Sequence, residues 1–120
     1  MNASVDHMPT VHIWRYLQVA RTDAVRARDL VTAPNASGVD DARKLLVAAG
    51  ERMAEAASHP EVAATTARRL LRARDAADAH LLAAASLHEL SMVDDSCRLL
   101  LRAADLILAS FDPAKDAAAS

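Results

Sequence analysis

Hydrophobic and polar positions along this chain follow the spacing of an amphipathic α-helix in four successive segments. In each segment, apolar residues recur at positions i, i+3, i+4 and i+7, which places them along one side of a helix. This spacing predicts helices over 9–33, 39–57, 59–90 and 92–111. The central positions of the four predicted apolar stripes are Ala20, Ala24 and Ala27; Leu46, Ala49 and Met53; Leu70, Ala77 and Leu81; and Cys97, Leu100 and Ile107.

Three serine-led motifs mark the predicted helix starts. Ser37, Ser58 and Ser91 are each followed by an acidic residue three positions later. In a capping box of this kind, the hydroxyl accepts a hydrogen bond from a free backbone N–H, and the acid stabilises the positive end of the helix dipole. We therefore expect each serine to cap the helix that follows it.

The connections between the predicted helices are short, and short connections favour antiparallel neighbours. The chain is 52% hydrophobic but only 2% aromatic, with 2 Gly and 4 Pro. This composition favours helices and excludes a β-sandwich, a β-barrel or a doubly wound sheet. We predict an all-α, antiparallel four-helix bundle with up-down-up-down topology over 9–111, with disordered segments at 1–8 and 112–120.

The charge is nearly balanced, with 14 basic and 16 acidic residues and a formal net charge of -2. Because nucleic-acid binding draws on a basic excess, we expect no nucleic-acid partner. Cys97 is the single cysteine, so no disulfide can form within the chain, and we expect a cytoplasmic location. No apolar run is long enough to span a membrane, and residues 1–8 lack the features of a secretory signal.

A second set of apolar residues lies off the predicted core stripes. Met92, Leu99 and Leu106 recur every seven residues on the last helix, and Leu71 and Leu82 lie beside the main stripe of the third helix. A seven-residue series opposite a complete core stripe is typical of a surface that another chain covers. The alternative is a broad stripe on a helix that is covered on two sides within one chain. The first interpretation predicts a protein partner, with self-association into a homodimer as the preferred form.

The densest basic cluster is Arg68, Arg69 and Arg72 in the third predicted helix. One interpretation is a site for an anion or an acidic partner. The other is a solvated helix face whose charges pair with neighbouring acids, since Arg74 and Asp78 stand four residues apart. No aromatic residue lies between the arginines, so the cluster does not predict base stacking.

Histidines provide the remaining candidate chemistry. His80 and His88 are eight residues apart, whereas two metal ligands on one helix are typically four apart. We therefore predict no metal site and no cofactor.

The segment around His80 resembles the phosphoacceptor helix of histidine phosphotransfer domains, which carry the motif His-x-Leu-Lys-Gly on a four-helix bundle of this size. The resemblance implies that His80 accepts a phosphoryl group and that Leu82 is the matching leucine. Ala83 and Ala84 stand where that family has its lysine and glycine.

Arg74 and His80, six positions apart, are similar to the arginine–histidine motif of HEPN ribonuclease-like helical domains. In that family the two side chains flank the scissile phosphate across a dimer. The resemblance implies that Arg74 stabilises phosphate charge and that His80 acts as a general acid or base.

These patterns favour a non-enzymatic protein-interaction module over either catalytic alternative. The preferred mechanism is burial of the apolar series Met92, Leu99 and Leu106, together with Leu71 and Leu82, against a second chain.

Overall fold

The computed structural model describes residues 2–33 and 35–111, and side chains for 13–33, 35 and 37–111. Within these residues the chain forms four α-helices and no strand. The first helix, α1, spans Asn2–Thr32, and α2 spans Ala36–Ala57. The other two, α3 and α4, span Ala64–Glu89 and Val93–Ala109. The all-α prediction is confirmed.

The four helices pack as an up-down-up-down bundle. Each helix contacts the next along the chain, α1 also contacts α4, and α2 reaches α4 across the diagonal. The hydroxyl of Ser96, at the start of α4, donates to the carbonyl of Ala84, near the end of α3, over 2.7 Å. At the other end, Arg69 of α3 donates from Nε to the carbonyl of Ser110, just after α4, over 3.0 Å. These two contacts join the start of each helix to the end of the other, so α3 and α4 run antiparallel.

The buried core lies on the predicted stripes. The three central positions predicted for α2 are all buried, and the other helices contribute the same spacing. Many of these side chains are alanine, which lets helix axes approach closely but buries little area per residue. The buried core positions of α2 are Val39, Ala42, Leu46, Ala49, Met53 and Ala56. Those of the other helices include Ala20, Ala24, Ala27 and Val31; Leu70, Ala77, Leu81 and Ala84; and Cys97, Leu100, Ala104 and Ile107.

An ion pair joins α1 to α2 where the two helices pack together. Arg52 donates from Nη1 to Oδ2 of Asp23 over 2.9 Å, and the Asp23 side chain is only 12% exposed. A carboxylate this poorly hydrated needs its partner, because an unpaired buried charge is costly. The periodic pattern of the sequence gives no sign of this pair, since the residues are 29 positions apart.

The predicted serine caps are wrong at the first two helix starts. Asn35, not Ser37, caps α2: its Oδ1 accepts from the backbone N–H of Gly38 over 3.0 Å, and Ser37 donates its hydroxyl to the same Oδ1 over 2.7 Å. Asparagine is as good a cap as serine, and here it stands two positions earlier in the chain. Ser58 is the C-cap of α2, and α3 begins only at Ala64.

Ser91 ends α3 instead of capping α4. Its φ of 62° places it in the left-handed region, where it is the only residue among those described. The backbone N–H of Met92 donates to the carbonyl of Leu87 over 2.8 Å, and that of Ser91 donates to the carbonyl of His88 over 3.0 Å. These two bonds form a Schellman motif, which turns the chain sharply out of a helix. The chain then enters α4 directly, with Met92 as its N-cap.

The outer boundaries also differ from the prediction. The first helix begins at Asn2, before the predicted start at Pro9, so residues 2–8 of the segment predicted as disordered fall within its bounds. The segment 112–120, predicted as a disordered tail, lies outside the described residues.

Candidate functional site

The outward face of α4 is charged. Its exposed positions follow one side of the helix and are Asp94, Arg98, Arg102 and Asp105. Leu106 is half-buried, and Leu99 is half-buried and packs against the core. Of the predicted seven-residue series, Met92 alone is exposed, at 43%. The expectation that all three point away from the core is therefore wrong for Leu99 and Leu106. Both lie on the flank of α4, where neighbouring helices partly cover them.

The outward face of α3 is different, because most of the exposed residues in its last three turns are apolar. Leu82 is 73% exposed and Leu90, the C-cap of α3, is 69% exposed, the highest values of any large aliphatic side chain among the described residues. Residues three, four and seven positions apart share a helix face, so these leucines and the exposed alanines form one surface. We call this surface the apolar patch; its members are Ala79, Leu82, Ala83 and Leu90 on α3, with Met92 in the turn that follows.

Two local features hold the patch toward solvent. Leu81 is only 5% exposed and anchors the inner side of the same turn, so its neighbour Leu82 is rotated outward by the helix. At the end of α3, the Schellman motif fixes the backbone of Met92 by a hydrogen bond to Leu87. Hydrophobic residues in this position of the motif commonly contact the last turn of the helix.

The first half of the same outward face is charged. Arg68, Arg72 and Asp75 are exposed there. Arg69 is half-buried and donates a hydrogen bond to the carbonyl of Ser110. The three predicted anion-binding arginines therefore do not share one exposed surface. Leu71, predicted to bind a partner, is half-buried.

Arg74 lies across α2, away from the outward face. Its Nε donates to Oδ1 of Asp75 over 3.0 Å and lies 3.8 Å from Oδ2 of Asp78. A Cβ at Gly50 would stand 3.1 Å from Cγ of Arg74, so this glycine leaves room for the arginine stem. The predicted pairing of Arg74 with Asp78 is present.

The structure does not bring Arg74 and His80 together within one chain. Six positions on an α-helix are about 120° apart around the axis. The stem of Arg74 faces α2, whereas His80 lies half-buried on a different flank of α3. His80 and His88 are also about 12 Å apart along the helix axis, given a rise of about 1.5 Å per residue. His88 has a buried Nδ1 without a hydrogen-bond partner among the described residues.

Within the described residues, no group of three His, Cys, Asp or Glu side chains is placed to hold a metal ion. In that same part of the chain, no helix has both the length and the apolar character that crossing a membrane requires. An open groove of about 660 Å³ lies where α1 and α3 end and α4 begins. Its lining mixes Val31, Leu87 and Leu99 with exposed charges of α4, and it adjoins the end of the bundle that carries Met92.

Comparison with known proteins gives no relative for this chain: no protein-family model, no curated protein and no solved structure matches it.

Sequence reasoning identified Leu82 and Met92 but missed Leu90, Ala79 and Ala83. A helical projection centred on the buried stripe of α3 would have placed all three on the opposite side from Leu70 and Leu81. The signal for these three residues is therefore present in the sequence.

Proposed function

We propose that this protein is a non-enzymatic interaction module that associates with a second copy of itself through the apolar patch. The observation that carries the proposal is the contrast between adjacent leucines on α3. Leu81 is buried in the core, whereas Leu82 and, two turns later, Leu90 project into solvent. A solitary exposed leucine is ordinary, but several on one helix face mark a surface that another protein covers.

The energetics favour association over exposure. Covering a leucine or methionine side chain that is mostly exposed contributes roughly 1–2 kcal/mol at about 25 cal/mol per Å². Leu82, Leu90 and Met92 from each of two copies would together contribute several times that amount. Part of this gain offsets the loss of rotational and translational freedom on association. A second copy is the preferred partner because closed two-fold pairs are the commonest soluble assemblies and use one patch twice.

The test is a comparison of molecular mass in solution. Light scattering after size exclusion, over a series of concentrations, should show a dimer for the wild-type chain and a monomer for Leu82→Glu/Leu90→Glu. The matched control is Val19→Glu/Val47→Glu, which places the same charges at exposed apolar positions on α1 and α2. The control should remain dimeric. A wild-type chain that stays monomeric at its solubility limit, or a control that dissociates equally, would contradict the proposal.

The two enzymatic resemblances stay predictions. Phosphotransfer requires label on His80 from a phospho-donor, which is lost in His80→Ala. Ribonuclease activity requires RNA cleavage that depends on Arg74 and His80. The geometry of a single chain does not favour the ribonuclease, because Arg74 is paired with its own acidic neighbours and turned toward α2.

A further inference from the structure

We infer that the two copies pair α3 against α3 in antiparallel orientation, with Arg72 of each copy contacting Glu89 of the other. This inference rests on the proposed function and adds the orientation and register of the interface. The inferred interface begins at the apolar patch and extends along the outward face of α3 into the charged half of the helix.

The outward face of α3 contains one continuous row of exposed residues, which we call the seam. Six exposed positions along it are separated by four, three, four, three and four residues, an average of 3.6, so they lie along one side of the helix. The inward face of α3 is already used, since Leu70, Ala77, Leu81 and Ala84 are buried. The six seam positions are Arg72, Ala76, Ala79, Ala83, Ser86 and Leu90.

The spacing of this seam is the same in both directions along the helix. When a second copy is turned end to end, every seam position therefore meets another seam position. Ala79 lies opposite Ala83 of the second copy, and Ala76 lies opposite its Ser86. These four positions are small, so the helix axes can approach to the short end of the usual 8–10 Å range.

Leu82 lies beside the centre of this seam. A two-fold axis between antiparallel helices passes close to it, because the seam is centred between Ala79 and Ala83. Leu82 of one copy therefore packs against Leu82 of the other, which covers the most exposed leucine of the chain.

Charge selects the antiparallel orientation. In this alignment Arg72 lies opposite Leu90 of the second copy. Glu89 of the second copy is next to that Leu90, so its carboxylate lies near the Arg72 guanidinium. The same contact occurs at each end of the seam. Arg72 and Glu89 are both exposed, and neither side chain has a hydrogen bond or ion pair to another described residue. A parallel pair would instead place Arg72 against Arg72 and Glu89 against Glu89, and like charges in register disfavour association.

A charge-exchange experiment tests the register. Dimer dissociation constants are measured by sedimentation on the full chain for wild type, Arg72→Glu, Glu89→Arg and the double exchange. Each single variant should weaken the dimer at least about tenfold, because two attractive contacts per dimer become repulsive. The double exchange should return to within about threefold of wild type, because its charges are again complementary.

The outcomes separate this inference from the proposed function. If Leu82→Glu/Leu90→Glu dissociates the dimer but the single exchanges do not, or if the double exchange remains weak, the patch is correct and the register is wrong. If the wild-type chain never dimerises, both fail. Circular dichroism of each variant shows whether the fold is retained, and all the exchanged positions are exposed.

Cysteine cross-linking gives a second measure of orientation that does not depend on affinity. Ala79→Cys and Ala83→Cys chains are mixed and mildly oxidised. The antiparallel register predicts that mixed disulfides form faster than disulfides between identical chains, whereas a parallel pair predicts the reverse. The native Cys97 is 2% exposed, so its contribution is small, and the unsubstituted chain serves as the control. A preference for identical chains would overturn the inference.

Discussion

The two halves of α3 present opposite surfaces to solvent although their inward faces are alike. Toward the core, both halves are buried through the same spacing, at Leu70 in the first half and Leu81 in the second. Toward solvent, the first half carries Arg68 and Arg72, whereas the second carries Leu82 and Leu90. An exposed charged face needs no partner, but an exposed leucine-bearing face remains in contact with water unless a second protein covers it.

The comparison separates folding from function on one helix. Inward positions are selected by packing, since every one of them must fit alanine-rich neighbours. Outward positions are free of that constraint, so their chemistry reports what the surface contacts. A leucine at an unconstrained position is therefore more informative about function than a leucine in the core.

The largest expected effect is the difference in stability between alanine substitutions of two adjacent leucines, one buried and one exposed. Leu81→Ala should lower the free energy of unfolding by about 3 kcal/mol, because it leaves a cavity in the core. Leu82→Ala should change it by less than about 0.5 kcal/mol in a monomeric background such as Leu90→Glu, because Leu82 is exposed. Urea denaturation at one protein concentration measures both. Equal losses in the two variants would mean that the inward and outward faces are not distinct.

A smaller effect is expected from adjacent arginines in the charged half. Arg69→Ala removes the hydrogen bond to the carbonyl of Ser110 that joins α3 to the end of α4, and should destabilise the protein by about 1–2 kcal/mol. Arg68→Ala, the matched control, should have almost no effect because Arg68 is exposed. Thermal denaturation in parallel gives the difference. If both arginines prove neutral, the hydrogen bond from Arg69 to Ser110 contributes nothing measurable to stability.

The smallest expected effect is a gain at the end of the apolar half. Ser91→Gly should stabilise the protein by about 0.5–1 kcal/mol, because glycine adopts a left-handed φ without the steric cost that serine incurs. Ser58→Gly is the control, since Ser58 ends α2 with a right-handed φ of -79° and gains nothing from glycine. Both are measured in the Leu82→Glu/Leu90→Glu background so that dimerisation does not contribute. A loss of stability on Ser91→Gly would show that the serine side chain stabilises the turn.

The helical stripes could be predicted from the sequence because burial repeats locally. Leu46, Ala49 and Met53 of α2 are buried as expected, since one periodic pattern determines which side of a helix faces inward. The helix ends were predicted poorly for the opposite reason. Ser37, Ser58 and Ser91 each fit a capping pattern, but a cap depends on where the backbone leaves the helix, and nearby Asn35 or a left-handed turn can satisfy the same groups.

The candidate site was predicted in part. Leu82 and Met92 are exposed as the off-stripe pattern indicates, whereas Leu99 and Leu106 are half-buried on the flank of α4. Whether a residue on the flank of a helix is buried depends on how far the neighbouring helix is rotated. A projection of a single helix does not contain that information. The same limit applies to Arg69, whose role depends on Ser110 at the far end of another helix.

The sequence by itself determined that this chain forms four amphipathic helices and which side of each is buried, because those properties depend on residues a few positions apart. Only the tertiary structure decided that Arg52 pairs with Asp23, and that Leu99 and Leu106 are half-buried while the outward face of α4 is charged. These features join residues that are distant along the chain or depend on how helices are rotated against one another. Such relations are set by packing of the whole bundle, and no local pattern encodes them.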